Sequence, residues 1–322
     1  MSSFTRRRFV QLATLVPVAE AGAQLIGTGG GGWSIRGTDP IEIFHGERRV
    51  TAYHAGYEQG LPHFDPVVGP NGKSFTAAEN QEGRVARPGG LSFALGDVNG
   101  YDFRRRAGVA PGLPLKPGVI LHKGMNGVLV KGPAVVIRTK AEWFDAADPI
   151  RRICSDKREF TLFYREDGSL VIETVLELTA DAGDLEIGPE DVGAWSVCLA
   201  SGLTWKKDAV GIFLRNSEGI VDSAVPGTHA KWLACQGKDT GGSPIGVAIL
   251  DHPSNPGFPA SWTVSETGIL SANPFTENDA ANPLPRVVPN GESLHFRYRT
   301  IFYLGETAGI DLGRAYEAFS AR

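Results

Sequence analysis

Residues 160–178, FTLFYREDGSLVIETVLEL, decide the fold class. Two apolar runs, 160–164 and 170–178, flank Glu166-Asp167-Gly168, the chemistry of a tight turn. In the second arm Ile172, Thr174, Leu176 and Leu178 alternate with Val171, Glu173, Val175 and Glu177. A period of two belongs to a half-buried antiparallel strand, whereas an amphipathic helix repeats every 3.6 residues.

The same grammar extends in both directions. Runs 41–45 and 50–54 flank Gly46-Glu47-Arg48-Arg49, a hairpin signal. Runs 119–122 and 128–130 flank Lys123-Gly124-Met125-Asn126-Gly127, which carries the Asn-Gly turn pair and predicts a second hairpin. Residues 134–143, 195–200, 211–214, 220–223, 231–235, 245–250 and 268–272 read as further strands. Residues 294–303 form a last long one, with His295, Arg297 and Arg299 on one face and Phe296, Tyr298 and Thr300 on the other. Helical spacing appears at residues 310–319, where Leu312, Tyr316 and Phe319 share a stripe and Thr307 is placed to cap it. Residues 56–118 are dense in Gly and Pro and read as a long functional loop. The expectation is an all-β protein: one large antiparallel β-sandwich domain over residues 33–322 with one C-terminal helix.

The chain has 322 residues, 21% of them charged, and a formal charge of -4. That balance gives no electrostatic reason to expect nucleic acid as a partner. Thr5-Arg6-Arg7-Arg8-Phe9-Val10, a modest apolar segment and Ala21-Gly22-Ala23 follow the order of a twin-arginine export signal, so a periplasmic location is expected. Pro17 and Glu20 make the segment too short and polar to span a bilayer, and residues 27–32 read as a Gly-rich linker. Twin-arginine export carries folded proteins, so the fold should not need periplasmic disulfides. Cys154, Cys198 and Cys235 fit no zinc spacing, and the second and third sit in apolar runs as expected of buried thiols.

Polar groups concentrate at strand ends. Asp251-His252-Pro253-Ser254-Asn255-Pro256 closes one run and Asn273-Pro274-Phe275 another, with Trp262 between them. Such Pro-stiffened corners serve either as self-bonded turns or as a preorganised binding surface. Asp97, Asn99 and Asp102 surround Gly100, and Arg104-Arg105-Arg106 follows. Asx residues beside Gly build turns, or offer paired donors and acceptors to sugar hydroxyls; Arg104 in a cleft would favour an anionic sugar. The seven histidines show no HxH, HxxxH or HExxH spacing, so no metal or other cofactor is expected. GxSxG and Walker A patterns are absent as well.

GLPHFDPVVGPNG (60–72), LGDVNGYDF (95–103), VILHKG (119–124), RNSEG (215–219), HAKWLACQG (229–237), ILDHPSNP (249–256) and ANPF (272–275) together resemble a secreted bacterial family named methane oxygenase PmoA-like. The resemblance covers most of the chain after residue 52. It implies a β-sandwich in the style of sugar mutarotases and a small-molecule sugar ligand. The chain departs from that family where imidazoles are expected: Ala86-Arg87-Pro88-Gly89-Gly90, Thr263 after Trp262, and Tyr303-Leu304-Gly305. Two hypotheses follow. One is a carbohydrate-active enzyme, a lyase, epimerase or hydrolase, with His122 and His252 as acid and base and Asp102 orienting one of them; Asn99, Arg104, Asp251, Asn255, Trp262 and Asn273 would contact substrate. The other is a non-catalytic carbohydrate-binding or scaffold protein that has lost the family's histidines. The test is whether His122, His252 and Asp102 share one network.

Overall fold

Alternating apolar and polar positions fold into two stacked sheets in the computed structural model, which describes residues 27–28, 32–56, 60–77, 89–104, 115–189, 192–207, 210–276 and 285–322. The export signal, most of the Gly-rich linker, Ala86-Arg87-Pro88, Arg105 and Arg106 lie outside the described residues.

The first sheet runs in spatial order β1 (Gly27–Thr28), β2 (Trp33–Arg36), β3 (Ile41–His45), β4 (Arg48–His54), β5 (His63–Phe64), β6 (Gly90–Phe93), β13 (Trp195–Cys198), β18 (Ile269–Asn273), β17 (Ser261–Val264). The second runs β14 (Phe213–Asn216), β15 (Trp232–Lys238), β16 (Pro244–Asp251), β20 (Ser293–Leu304), β11 (Leu170–Thr179), β10 (Arg152–Tyr164), β9 (Ala134–Asp145), β8 (Lys116–Lys131), β7 (Tyr101–Asp102). A ribbon of β12 (Leu185–Ile187) and β19 (Arg286–Val288) stands apart. Among these strand pairs only β7–β8 is parallel. The all-β antiparallel sandwich expected from the alternation is therefore what forms.

The inward rows make the core. On β11, Ile172, Leu176 and Leu178 are fully buried. They face Phe160 and Leu162 of β10 and Phe296 and Tyr298 of β20. Trp195 of the first sheet stacks on Tyr298 of the second, with ring centroids 5.9 Å apart and planes 7° from parallel. Each deeply buried indole finds an acceptor: Trp195 donates to Thr300 Oγ1 (2.9 Å), Trp262 to Ala230 O (2.9 Å) and Trp143 to Asp156 Oδ2 (2.6 Å).

α1 (Leu312–Ser320) lies on the outward face of the second sheet. Its Leu312, Ala315 and Phe319 cover Val171, Ala248, Leu250, Ile301 and Tyr303. Two outward arginines of β20 hold it there. Arg299 donates to Ala315 O (2.9 Å) and to Glu173 Oε1 (2.9 Å), with its guanidinium 4.8 Å above the Phe319 ring. Arg297 donates to Arg322 O (2.7 Å).

Four expectations change. The 119–130 hairpin is one strand, β8, and the chain reverses at Gly132-Pro133. The glycines in KGMNG make bulges, with register shifts at 122/124 and 125/127 and φ of 156° at Gly124 and 148° at Gly127. Three short strands, β5, β6 and β7, lie in the tract read as loop. Residues 220–223 form no strand but a bridge and a 3-10 turn. Thr307 does not cap the helix; Asp311 does, accepting from Arg314 N at 2.8 Å. The three cysteines are free, Cys154 and Cys235 buried and Cys198 half-buried.

Phe319 is 2% exposed and is the main apolar anchor between α1 and the sheet. Phe319→Ala is expected to cost about 3–5 kcal/mol in urea unfolding, the usual range for emptying a buried aromatic site.

Candidate functional site

Asp251 ends β16 with its side chain inward and wholly buried. Its Oδ1 accepts from Asn255 Nδ2 (2.6 Å) and its Oδ2 from Ala260 N (2.8 Å). Asn255 in turn accepts from Arg297 N (2.7 Å) and donates to Arg297 O (2.8 Å). His252 Nδ1 accepts from Ser254 Oγ (2.7 Å) and Ser254 N (3.1 Å), and its ring meets Phe319 edge-on at 5.1 Å. The corner is a self-bonded knot that ties β16 to β20 and to α1. Burial, then Arg297 close by, lowers the His252 pKa. Burial pushes the Asp251 carboxyl up to about 7.

The other expected contacts are similarly spent on structure. Asn99, with φ 53°, accepts from Glu186 N (2.6 Å) and donates to Asp184 O (3.0 Å), stapling β12 to its turn. It lines a cleft of about 600 Å³ with Asp184, Glu186 and Val287. Trp262 is 0% exposed and belongs to the core, so it offers no stacking face. Asn273 Oδ1 accepts from Phe275 N (3.0 Å) within its own turn. Arg104 is buried, 3.7 Å from the Asp102 carboxylate, with its guanidinium packed on Gly96.

His122, His252 and Asp102 do not converge. Asp102 pairs with Pro117 on β8, five residues before His122; at about 3.3 Å per residue they stand roughly 16 Å apart along the strand. His252 follows β16, and β20, β11, β10 and β9 intervene before β8; five spacings of about 4.8 Å make roughly 24 Å. The faces differ too: His122 points between the sheets toward Tyr53, and His252 points outward to α1. The proposed division of acid, base and orienting carboxylate among these three is not supported by the geometry.

A different group forms around His122. The strand bulges directly after it, a device that re-aims side chains and recurs beside functional sites. His122 Nδ1 lies 3.4 Å from the Tyr53 hydroxyl, and the rings meet edge-on at 5.9 Å. Beneath them β10 places Asp156 and Arg158 inward, 2% and 3% exposed. Arg158 Nε and Nη2 fork onto the two Asp156 oxygens at 2.8 and 2.6 Å, and Trp143 donates to the same carboxylate. Asp39, which accepts from Ala55 N at 3.2 Å, also acts on Tyr53 and His122.

Burial lowers the His122 pKa; Asp39 opposes that and Arg158 adds to it. Burial pushes the Tyr53 phenol up to about 12 against the pull of Arg158. At neutral pH the cluster therefore presents a neutral imidazole beside a protonated phenol, backed by a neutralised ion pair. Among the described residues no three His, Cys, Asp or Glu side chains gather to hold a metal ion.

Tyr53, Asp39, Asp156 and Arg158 did not figure among the sequence candidates. The signal was present: on β10, Cys154, Asp156, Arg158, Phe160 and Leu162 share the inward register, and two of those five are charged. On the opposite face of the first sheet, His54 and His63 stack at 4.8 Å with planes 6° apart. His54 Nε2 donates to Asp65 O (2.8 Å) and His63 Nδ1 to Leu61 O (3.0 Å).

Architecture and cluster define an all-β sandwich protein with a buried polar cluster between its sheets. The chain belongs to a family of unknown function, DUF6807, whose model matches residues 40–316. That match does not carry the methane oxygenase label. No curated protein matches the sequence. Among solved structures, a GalM/aldose epimerase homologue from C. elegans is similar at 10% identity, over 86% of this chain and 96% of that one, with a TM-score of 0.34. A likeness that shallow carries no functional argument.

Two outcomes test the electrostatics. Asp156→Ala leaves Arg158 charged and buried, and is expected to cost about 3–5 kcal/mol by urea unfolding, while Asp156→Leu with Arg158→Met restores most of it. Burial lowers the His63 pKa to about 4. The unfolded chain then takes up this proton before the folded one does, so its contribution is complete above the ordinary histidine pKa of about 6.5 and is lost as pH falls from there to about 4. Asp251, with its raised pKa, acts in the opposite sense over part of that window. The readout is therefore the difference between wild type and His63→Gln, which should shrink steadily as pH falls through that range.

Proposed function

We propose that this protein is exported to the periplasm by the twin-arginine route and binds a small sugar at the Tyr53–His122 cluster. One observation carries the reading. A hydrogen-bonded imidazole and phenol, 3.4 Å apart, lie between the sheets beside a buried ion pair, with His122 reaching the surface. Sugar hydroxyls are donors and acceptors at once, and a neutral imidazole beside a protonated phenol matches both roles. His122 is 9% exposed, so a ligand reaching it is largely desolvated, which strengthens each hydrogen bond. The sequence order of the twin-arginine stretch supports export, and the sandwich pattern with its family-like motifs supports a sugar ligand.

Binding without catalysis is the reading the geometry favours, since the three residues assigned to acid/base work stand apart. A second reading rests on the same pair. His122 with its lowered pKa is fit to accept a proton, and Tyr53, kept protonated, to donate one, which is the minimum for a ring-opening proton transfer on a sugar.

Calorimetric titration with a panel of aldoses and uronic sugars tests the proposal. At least one sugar should bind, His122→Ala should weaken it tenfold or more (about 1.4 kcal/mol), and His252→Ala should leave it unchanged. Binding by no member of the panel, or equal loss in both variants, ends the proposal. Polarimetry on a bound aldose separates the two readings: accelerated anomer exchange that disappears in Tyr53→Phe favours proton transfer.

A further inference from the structure

Four Asn-Gly pairs occur, at 71–72, 99–100, 126–127 and 290–291. This dipeptide is open to self-modification. The glycine nitrogen attacks the asparagine Cγ, a C–N bond forms, and ammonia leaves. The resulting succinimide is opened by water at either carbonyl, giving Asp or isoaspartate. Water enters, ammonia departs, and no oxidant or reductant takes part. The step requires a free amide group on Asn, a free glycine N–H and a backbone able to twist.

Three of the pairs are locked on both counts. Asn71 donates to Asp239 Oδ2 (2.9 Å) and accepts from Lys73 N (3.1 Å), while Gly72 N donates to Gly69 O (3.0 Å). Asn99 is bonded to Asp184 O and Glu186 N, and Gly100 N donates to Asp97 Oδ1 (3.1 Å). Asn290 accepts from Gly183 N (3.3 Å), and Gly291 N donates to Ala180 O (2.7 Å). Asn126 differs. It is exposed, and it is the extra residue of a bulge, left out of the register between Met125 and Gly127. A Cβ built on any of the four glycines would meet nothing within 4 Å, so the exposed asparagine outside the strand register is what sets the 126–127 pair apart.

We propose that Asn126 is a site of spontaneous deamidation, and that the other three Asn-Gly pairs are protected by the fold. The product places a carboxylate, and in the isoaspartyl form an additional backbone carbon, four residues from His122 on the same strand. The modification is independent of the sugar-binding reading and is tested without a ligand. The full-length protein is aged at mildly alkaline and at mildly acidic pH, digested, and the four Asn-Gly peptides are compared by mass and by retention of their Asp and isoaspartate forms. An aliquot unfolded in urea is aged beside it.

In the folded protein the 126–127 peptide should convert at least several-fold faster than the other three, faster at alkaline pH, and the gap should close in urea. Gly127→Ala should slow conversion there and leave the other three peptides as they were. Equal rates at all four pairs in the folded protein, or faster conversion at any of the locked three, overturns the proposal.

Discussion

The constraint that organises this molecule is an ion pair with no water around it. Asp156 and Arg158 occupy neighbouring inward positions on β10, in the row that otherwise packs Phe160 and Leu162 against the opposite sheet. Removing two charges from water costs several kcal/mol each, and the fork geometry offsets that only while both partners and the Trp143 donor stay in place. Burial pulls against the Arg158 charge, yet Asp156 keeps its pKa raised. Tyr53 and His122 are the polar cap on this pair. Their protonation states follow first from burial, and the ion pair and Asp39 adjust them.

Strand alternation was legible wherever one face meets water. The 170–178 pattern, the two faces of residues 294–303 and the helical stripe at Leu312 and Phe319 all reappear at their expected places. What misled was chemistry with two structural uses. Asn-Gly marks a hairpin turn, but at 126–127 it makes a bulge inside a sixteen-residue strand, because the flanking residues find ladder partners on β9 throughout. Short strands in the Gly-rich tract carry two to four residues each, too few for any period to show.

Of the candidate cluster, His122 was named from the sequence and its neighbours were missed. Polar corners rich in Asp, His, Asn and Pro attract attention, yet proximity in sequence lets such groups bond one another. Asp251, His252 and Asn255 do so with Ser254 and the Arg297 backbone. The residues that gather about His122 come from four strands, β4, β8, β9 and β10, and from the segment carrying Asp39. No local pattern announces such a meeting; only charge in an inward register does.

β20 sits between β16 and β11 at the middle of the second sheet, and its Ser293 meets Thr179 across 114 residues. The hairpins on either side close locally, but the two halves of the sheet remain separate until that strand arrives. Until then β11 and β16 each present an unpaired edge to whatever chain is nearby. Joining the two halves of the sheet thus requires contacts of long sequence separation, the kind that slows folding. It also makes the half-built sheet, rather than the finished one, the form most in need of shielding by a chaperone.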